Sequence, residues 1–100
     1  MAAALSESQI TERLSKLNGW AREGGTMTKT FKLDTYLAGI ALASAIGVIC
    51  EARNHHPDMM IGWRKVTVSF TTHDAGSQLT DADFDAAAAI DALGYPKVSS

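Results

Sequence analysis

The stretch Glu51–Val66, EARNHHPDMMIGWRKV, decides how the chain is read, because the hydrophobic period changes inside it. Upstream lies a long apolar run at helical spacing. Pro57 disfavours the helical conformation at His56, so that helix must end at or before the histidine pair. Downstream, about Met59 to Trp63 reads as a short strand. In Lys65–Thr72, Val66, Val68 and Phe70 then alternate with Lys65, Thr67 and Ser69, the period-two signature of a half-buried strand.

Working back from the junction, the spacing predicts a helix from about Thr35 to Ala52, capped by Asp34. Leu37, Ile40, Ala41, Ser44, Val48 and Ile49 make one apolar face, and Leu42, Ala45, Ile46 and Cys50 make much of another. A helix apolar on two sides must be buried on two sides. In a chain of 100 residues the sheet can cover only one of them, so the second is expected to meet another subunit. Tyr36–Cys50 is shorter than the roughly 18–20 apolar residues of a spanning helix and runs into Glu51 and Arg53, so no membrane span is expected.

The remaining elements follow from turn and cap chemistry. Ser6-Glu7-Ser8-Gln9 matches a capping box, which predicts a first helix from Ser6 to Lys16 or Leu17, ended by Asn18-Gly19. Trp20–Glu23 and Met27–Leu33 flank Gly24-Gly25 and read as a β-hairpin. Asp74–Gln78 is a turn. Thr80 to Asp83 cap a last helix carrying Phe84, Ala87, Ala88 and Leu93, which Gly94 and Pro96 terminate. The order αββαββα predicts a single α+β domain over 1–100, a four-stranded antiparallel sheet with three helices packed on one face.

A formal net charge of -2 provides no broad basic field, so direct nucleic-acid binding is not expected. Cys50 is the only cysteine, which excludes an intrachain disulfide and fits a reducing compartment. Met1–Leu5 lacks the basic and apolar regions of a secretory signal, so a cytoplasmic location is expected.

Two of the three histidines, His55 and His56, sit at a helix C-terminus, where free carbonyls favour a cationic ring. Glu51 lies four residues before His55 and is predicted to pair with it, provided the last turn stays helical. His73 ends the Lys65–Thr72 strand. Three imidazoles on two element ends, near Glu51, Asp58, Asp74 and Asp83, could supply an acid and a base near neutral pH.

Blander readings compete with this one. Each histidine could be an exposed loop residue, and Asp83 could be only a helix cap. Trp20 and Trp63 read as core residues, and Cys50 as a buried structural thiol. A zinc site of His55, His56 and His73 is disfavoured, because adjacent residues in an extended segment point to opposite sides. The chain has no Gly-rich phosphate loop, no G-x-S-x-G elbow and no Cys-x-x-Cys pair.

Glu51-x-x-x-His55-His56-Pro57, Trp63, Lys65-Val66, Thr71-Thr72-His73-Asp74, Leu79-Thr80-x-x-Asp83 and the Gly19-Trp20 pair together resemble the pterin-4a-carbinolamine dehydratases. The resemblance covers most of the chain and implies the same element order. It implies a 4a-hydroxytetrahydropterin substrate that loses water to give a quinonoid dihydropterin, with no cofactor and no metal.

Carried over residue by residue, the resemblance makes His55, His56 and His73 catalytic. His55, if paired with Glu51, would be the acid for the hydroxyl, and His73 the partner at N5. Asn54, Thr71, Thr72 and Asp74 join the histidines in holding the pterin, and Glu51, Pro57, Asp83 and Trp20 are supporting residues. The resemblance further implies a homo-oligomer, a dimer or tetramer through sheet edges and the second helix. It also brings an alternative role, a non-enzymatic helix-binding regulatory module using that helix's apolar face. Met59 and Met60 replace familiar aromatics, Asn54 replaces a familiar Asp, and the loop from His73 to Asp83 looks one residue longer.

Overall fold

A computed structural model describes residues 3–95. Its elements are α1 (Glu7–Ser15), β1 (Ala21–Glu23), β2 (Thr26–Lys32), α2 (Tyr36–Arg53), β3 (Asp58–Gly62), β4 (Lys65–Phe70), a 3₁₀ turn at His73–Ala75, and α3 (Asp81–Asp91). The four strands pair antiparallel in the order β1-β2-β4-β3, with the helices on one face, as the hydrophobic pattern predicts.

Register explains the two faces of the sheet. Met27 lies opposite Phe70 and Phe31 opposite Val66, and all four are buried beneath the helices. The alternate positions pair hydroxyls on the open face, Thr28 with Ser69 at 3.1 Å and Thr30 with Thr67 at 3.0 Å. The core joins that apolar sheet face to Ile10 of α1, Leu42, Ile46 and Cys50 of α2, and Phe84, Ala87 and Ile90 of α3.

Both predicted caps at the outer helices form, with Ser6 and Gln9 reciprocally bonded, and Thr80 and Asp83 likewise. At α2 the cap is Thr35 rather than Asp34. The Thr35 hydroxyl accepts from the Ala38 backbone N–H at 3.0 Å, because it precedes the first helical residue directly. In α3, Ala88 is exposed, Leu93 lies exposed beyond the helix's end at Asp91, and Ala86 and Ile90 take the core positions beside Phe84 and Ala87. Gly94 follows with φ 66°, while Pro96 lies outside the described residues.

Trp63 departs from its reading as a core residue. It falls in the two-residue turn between β3 and β4, is 74% exposed, and carries the Arg64 guanidinium 5.1 Å from its ring centroid. Lys65–Thr72 likewise ends as a strand at Phe70.

The helix α2 is apolar on two sides, and one is covered. Gly39, Leu42, Ala43, Ile46 and Cys50 are buried, whereas Leu37 is 76% and Val48 72% exposed, with Ala41 and Ser44 open between them. At 18 residues, with mean hydropathy 1.4, it is long and apolar enough to qualify as a membrane span, longer than the Tyr36–Cys50 reading allowed. Its buried strip nevertheless packs on β4 and α3 as a core helix does.

Candidate active site

The site begins where α2 stops. Asn54 adopts the left-handed conformation (φ 51°, ψ 40°), with its N–H on the Glu51 carbonyl and the His55 N–H on the Cys50 carbonyl, both at 3.1 Å. These bonds form a Schellman-type end, which satisfies carbonyls that the helix leaves open. The reversal also takes His55 off the helical row that would place it above Glu51.

The expected Glu51–His55 pair is therefore replaced by two others. Glu51 Oε1 meets His56 Nε2 at 2.6 Å in an exposed pair. His55 turns inward, its Nε2 2.6 Å from Asp83 Oδ1 and its ring stacked on Phe70 with centroids 5.8 Å apart and planes at 9°. Its side chain is 15% exposed and that of Asp83 0%.

Asp83 can reach His55 because it occupies the third position of α3, where its second oxygen closes the capping box. Asp83 Oδ2 accepts from the Thr80 backbone N–H at 2.9 Å and from the Thr72 hydroxyl at 2.7 Å. The Thr72 and Thr80 hydroxyls are 2.8 Å apart. The cap reading and the supporting reading of Asp83 thus describe its two oxygens. Among the described residues every buried side-chain polar atom has a partner, which is what a buried carboxylate requires.

Beyond β4 the chain carries Thr71 and Thr72 past the end of α2, then turns through His73–Ala75. Asn54, His55 and His56 on one side and Thr71 to Asp74 on the other line a cleft of ≈ 240 Å³. Every residue expected to hold substrate lies on it. His73 is exposed, and Thr72 is buried with its hydroxyl engaged by Asp83 and Thr80. Pro57, half-buried, directs the chain into β3. Trp20 sits behind the site. Its indole N–H donates to Asp91 at 3.0 Å and its ring lies 5.8 Å from Phe70, the ring that His55 stacks on.

Two residues of the surroundings went unread in the sequence. Thr80 was legible as a cap and within the Leu79-Thr80-x-x-Asp83 pattern, but not as a hydrogen-bond partner of Thr72 behind the site. Gly25 was legible only as a turn residue, yet its carbonyl accepts from the Thr71 hydroxyl at 2.6 Å and a Cβ there would overlap the Ser77 carbonyl oxygen. The hairpin turn thereby abuts the loop that carries His73.

A larger cleft of ≈ 360 Å³ lies along Lys29, Phe31 and Asp91, where Lys29 Nζ is held by Asp91 at 2.9 Å and no imidazole is present. Cys50 is buried, and that burial, only partly offset by Arg53, holds its thiol above the usual range, in keeping with a structural thiol.

The family model for pterin 4 alpha carbinolamine dehydratase matches residues 3–93. A provisionally named pterin-4-alpha-carbinolamine dehydratase of Roseiflexus sp. (strain RS-1) is 50% identical over 93 residues, 93% of this chain and 99% of that protein. One from Natronomonas pharaonis is 42% identical over 93% of this chain and 98% of its own. The crystal structure of a transcriptional coactivator/pterin dehydratase from Brucella melitensis superposes with a TM-score of 0.84 at 25% identity, covering 90% of this chain and 97% of the other. A pterin dehydratase-like protein described as a RuBisCO assembly factor in the alpha-carboxysome shares the fold, with a TM-score of 0.62 at 22% identity over 76% of this chain and 87% of its own. With a family match across 3–93 and relatives of 42–50% identity over nearly their full length, the chain belongs to the pterin-4-alpha-carbinolamine dehydratase family.

Proposed function

We propose that the chain removes water from a 4a-hydroxytetrahydropterin to give the quinonoid dihydropterin, with the imidazoles of the cleft moving the protons. One observation carries this reading: His55, His56 and His73 line one cleft, and two of them have a carboxylate at 2.6 Å. The cleft is smaller than the roughly 300–1,000 Å³ of drug-sized ligand sites, which suits a small heterocycle rather than a large cofactor.

The reaction is redox-neutral. The C4a–O bond breaks as the hydroxyl takes a proton and leaves as water, and the N5–H electron pair becomes the second bond between N5 and C4a as that proton departs. One donor and one acceptor suffice, and histidine suits both tasks near neutrality. With Glu51 on His56 rather than His55, the acid is reassigned. His56, exposed at the cleft and in exchange with water, protonates the hydroxyl. His55, backed by buried Asp83, accepts the N5 proton. His73 on the opposite wall holds the pterin and relays protons to solvent.

A dehydration assay on a 4a-hydroxytetrahydropterin tests the reading. His55→Ala and His56→Ala, which remove the assigned base and acid, should each lower kcat by about 10²-fold or more, the scale of a positioned acid or base. If wild type and His55→Ala are equally inactive, the enzyme reading fails. A second reading would then stand, supported by the exposed strip of Leu37, Ala41, Ser44 and Val48 on α2 and by the coactivator description of the Brucella protein: a module that binds a partner helix.

A further inference from the structure

We infer that Thr72 and Thr80 are positioning residues that lock His55 in the Nε2–H tautomer, leaving Nδ1 as the ring nitrogen that exchanges a proton with substrate. Asp83 Oδ2 accepts from the Thr80 backbone N–H, which can only donate. The Thr72 hydroxyl, 2.7 Å from the same oxygen, has one proton and gives it to Oδ2.

Having spent its proton, Thr72 Oγ1 must act as acceptor toward Thr80 Oγ1 at 2.8 Å. Thr80 Oγ1 donates there, and its lone pair takes the Ala82 N–H at 3.2 Å. Every hydrogen in the chain is thereby assigned a direction, from Thr80 to Thr72 to Asp83. With both donors on Oδ2, Oδ1 is the oxygen left to accept from His55 Nε2 at 2.6 Å. A neutral imidazole carries one N–H, so its lone pair is at Nδ1.

Two consequences follow. The Thr72 hydroxyl is buried and has no proton left to give a ligand, so Thr72 serves the cleft through Asp83 and not as a donor of its own. The two threonines, neither of which is a proton-transfer group, decide which edge of the His55 ring does chemistry. Naming substrate as the exchange partner rests on the dehydratase reading, whereas the tautomer itself does not.

Imidazole nitrogen chemical shifts, recorded on the full chain above the titration of the ring, report the tautomer directly. The expected result is Nε2–H for His55 in wild type and in Thr72→Ser, which keeps the hydroxyl, and a mixture of tautomers in Thr72→Val. In the assay Thr72→Val should lose about tenfold in kcat with KM little changed and Thr72→Ser should recover it, a fraction of the roughly 10²–10⁴ that a positioned acid or base contributes. An Nδ1–H ring in wild type overturns the inference, and this measurement does not depend on the variants folding. An unchanged ring in a folded Thr72→Val overturns it equally. The expected tautomers in a protein that fails to dehydrate the pterin would support the lock while refuting the dehydratase reading.

Discussion

Asp83 and His55 meet at 2.6 Å across 28 residues of chain, a fully buried carboxylate against an imidazole at the edge of the cleft. The contact ties the first turn of α3 to the end of α2. Asp83→Asn would present an amide N–H₂ to either the Thr80 N–H or the His55 ring. Loss of one satisfied buried bond should destabilise the fold by about 1–3 kcal/mol. Activity should fall with it, read by thermal melts and the dehydration assay on the same preparations; an Asn variant of wild-type activity would show that the contact has no part in the chemistry.

The second carboxylate contact should behave differently. Glu51 and His56 are both exposed, so Glu51→Gln should change stability by at most about 1 kcal/mol. Its effect should be confined to turnover, with a loss smaller than that of Asp83→Asn. Equal stability losses in the two variants would contradict the difference in burial.

Glycine substitutions separate backbone crowding from helix propensity. Gly25→Ala would drive a Cβ onto the Ser77 carbonyl oxygen, a backbone atom that cannot step aside without moving the His73 loop. It should destabilise by about 1–3 kcal/mol and raise KM. Gly47→Ala in α2 meets nothing within 4 Å and should stabilise by about 0.5–1 kcal/mol. Chemical denaturation of both variants checks the opposite signs.

Val48→Glu places a charge in the exposed strip of α2, where Val48 is 72% open. If that strip joins copies of the chain, sedimentation should show the variant shifting to a smaller species while its circular dichroism stays that of wild type. An unchanged sedimentation profile would remove α2 as the self-association surface.

Glu7 and Arg22 tie α1 to β1 through two hydrogen bonds of 2.6 and 2.7 Å. The hydrogen bond from Arg22 holds the Glu7 carboxyl below the ordinary carboxylate range. A depressed folded value means a contribution present above the unfolded pKa of about 4.3 and lost as pH falls through the folded one. The melting temperatures of wild type and Glu7→Gln should therefore converge as pH drops below about 4. A gap that persists into stronger acid would show that the ion pair is not its source.

The elements were legible because their signals are local. Alternation in Lys65–Phe70, the capping boxes at Ser6 and Thr80, and the Gly24-Gly25 turn each specify backbone within a few residues. The seven residues lining the cleft were legible through family resemblance, and the fold places them together. Partner choice was not legible. A one-residue reversal at Asn54 moved Glu51 from His55 to His56, and helical spacing carries no warning of a left-handed residue there. The Gly25–Ser77 approach joins segments far apart in sequence, and no pattern within either one announces it.

On the open face of the sheet the paired hydroxyls of Thr28 with Ser69 and Thr30 with Thr67 can each donate in either direction. Rotation of both hydroxyls about their C–O bonds reverses either pair. Neither pair therefore has a fixed direction, and a neighbour offering a donor or an acceptor there would be met without any movement of the backbone.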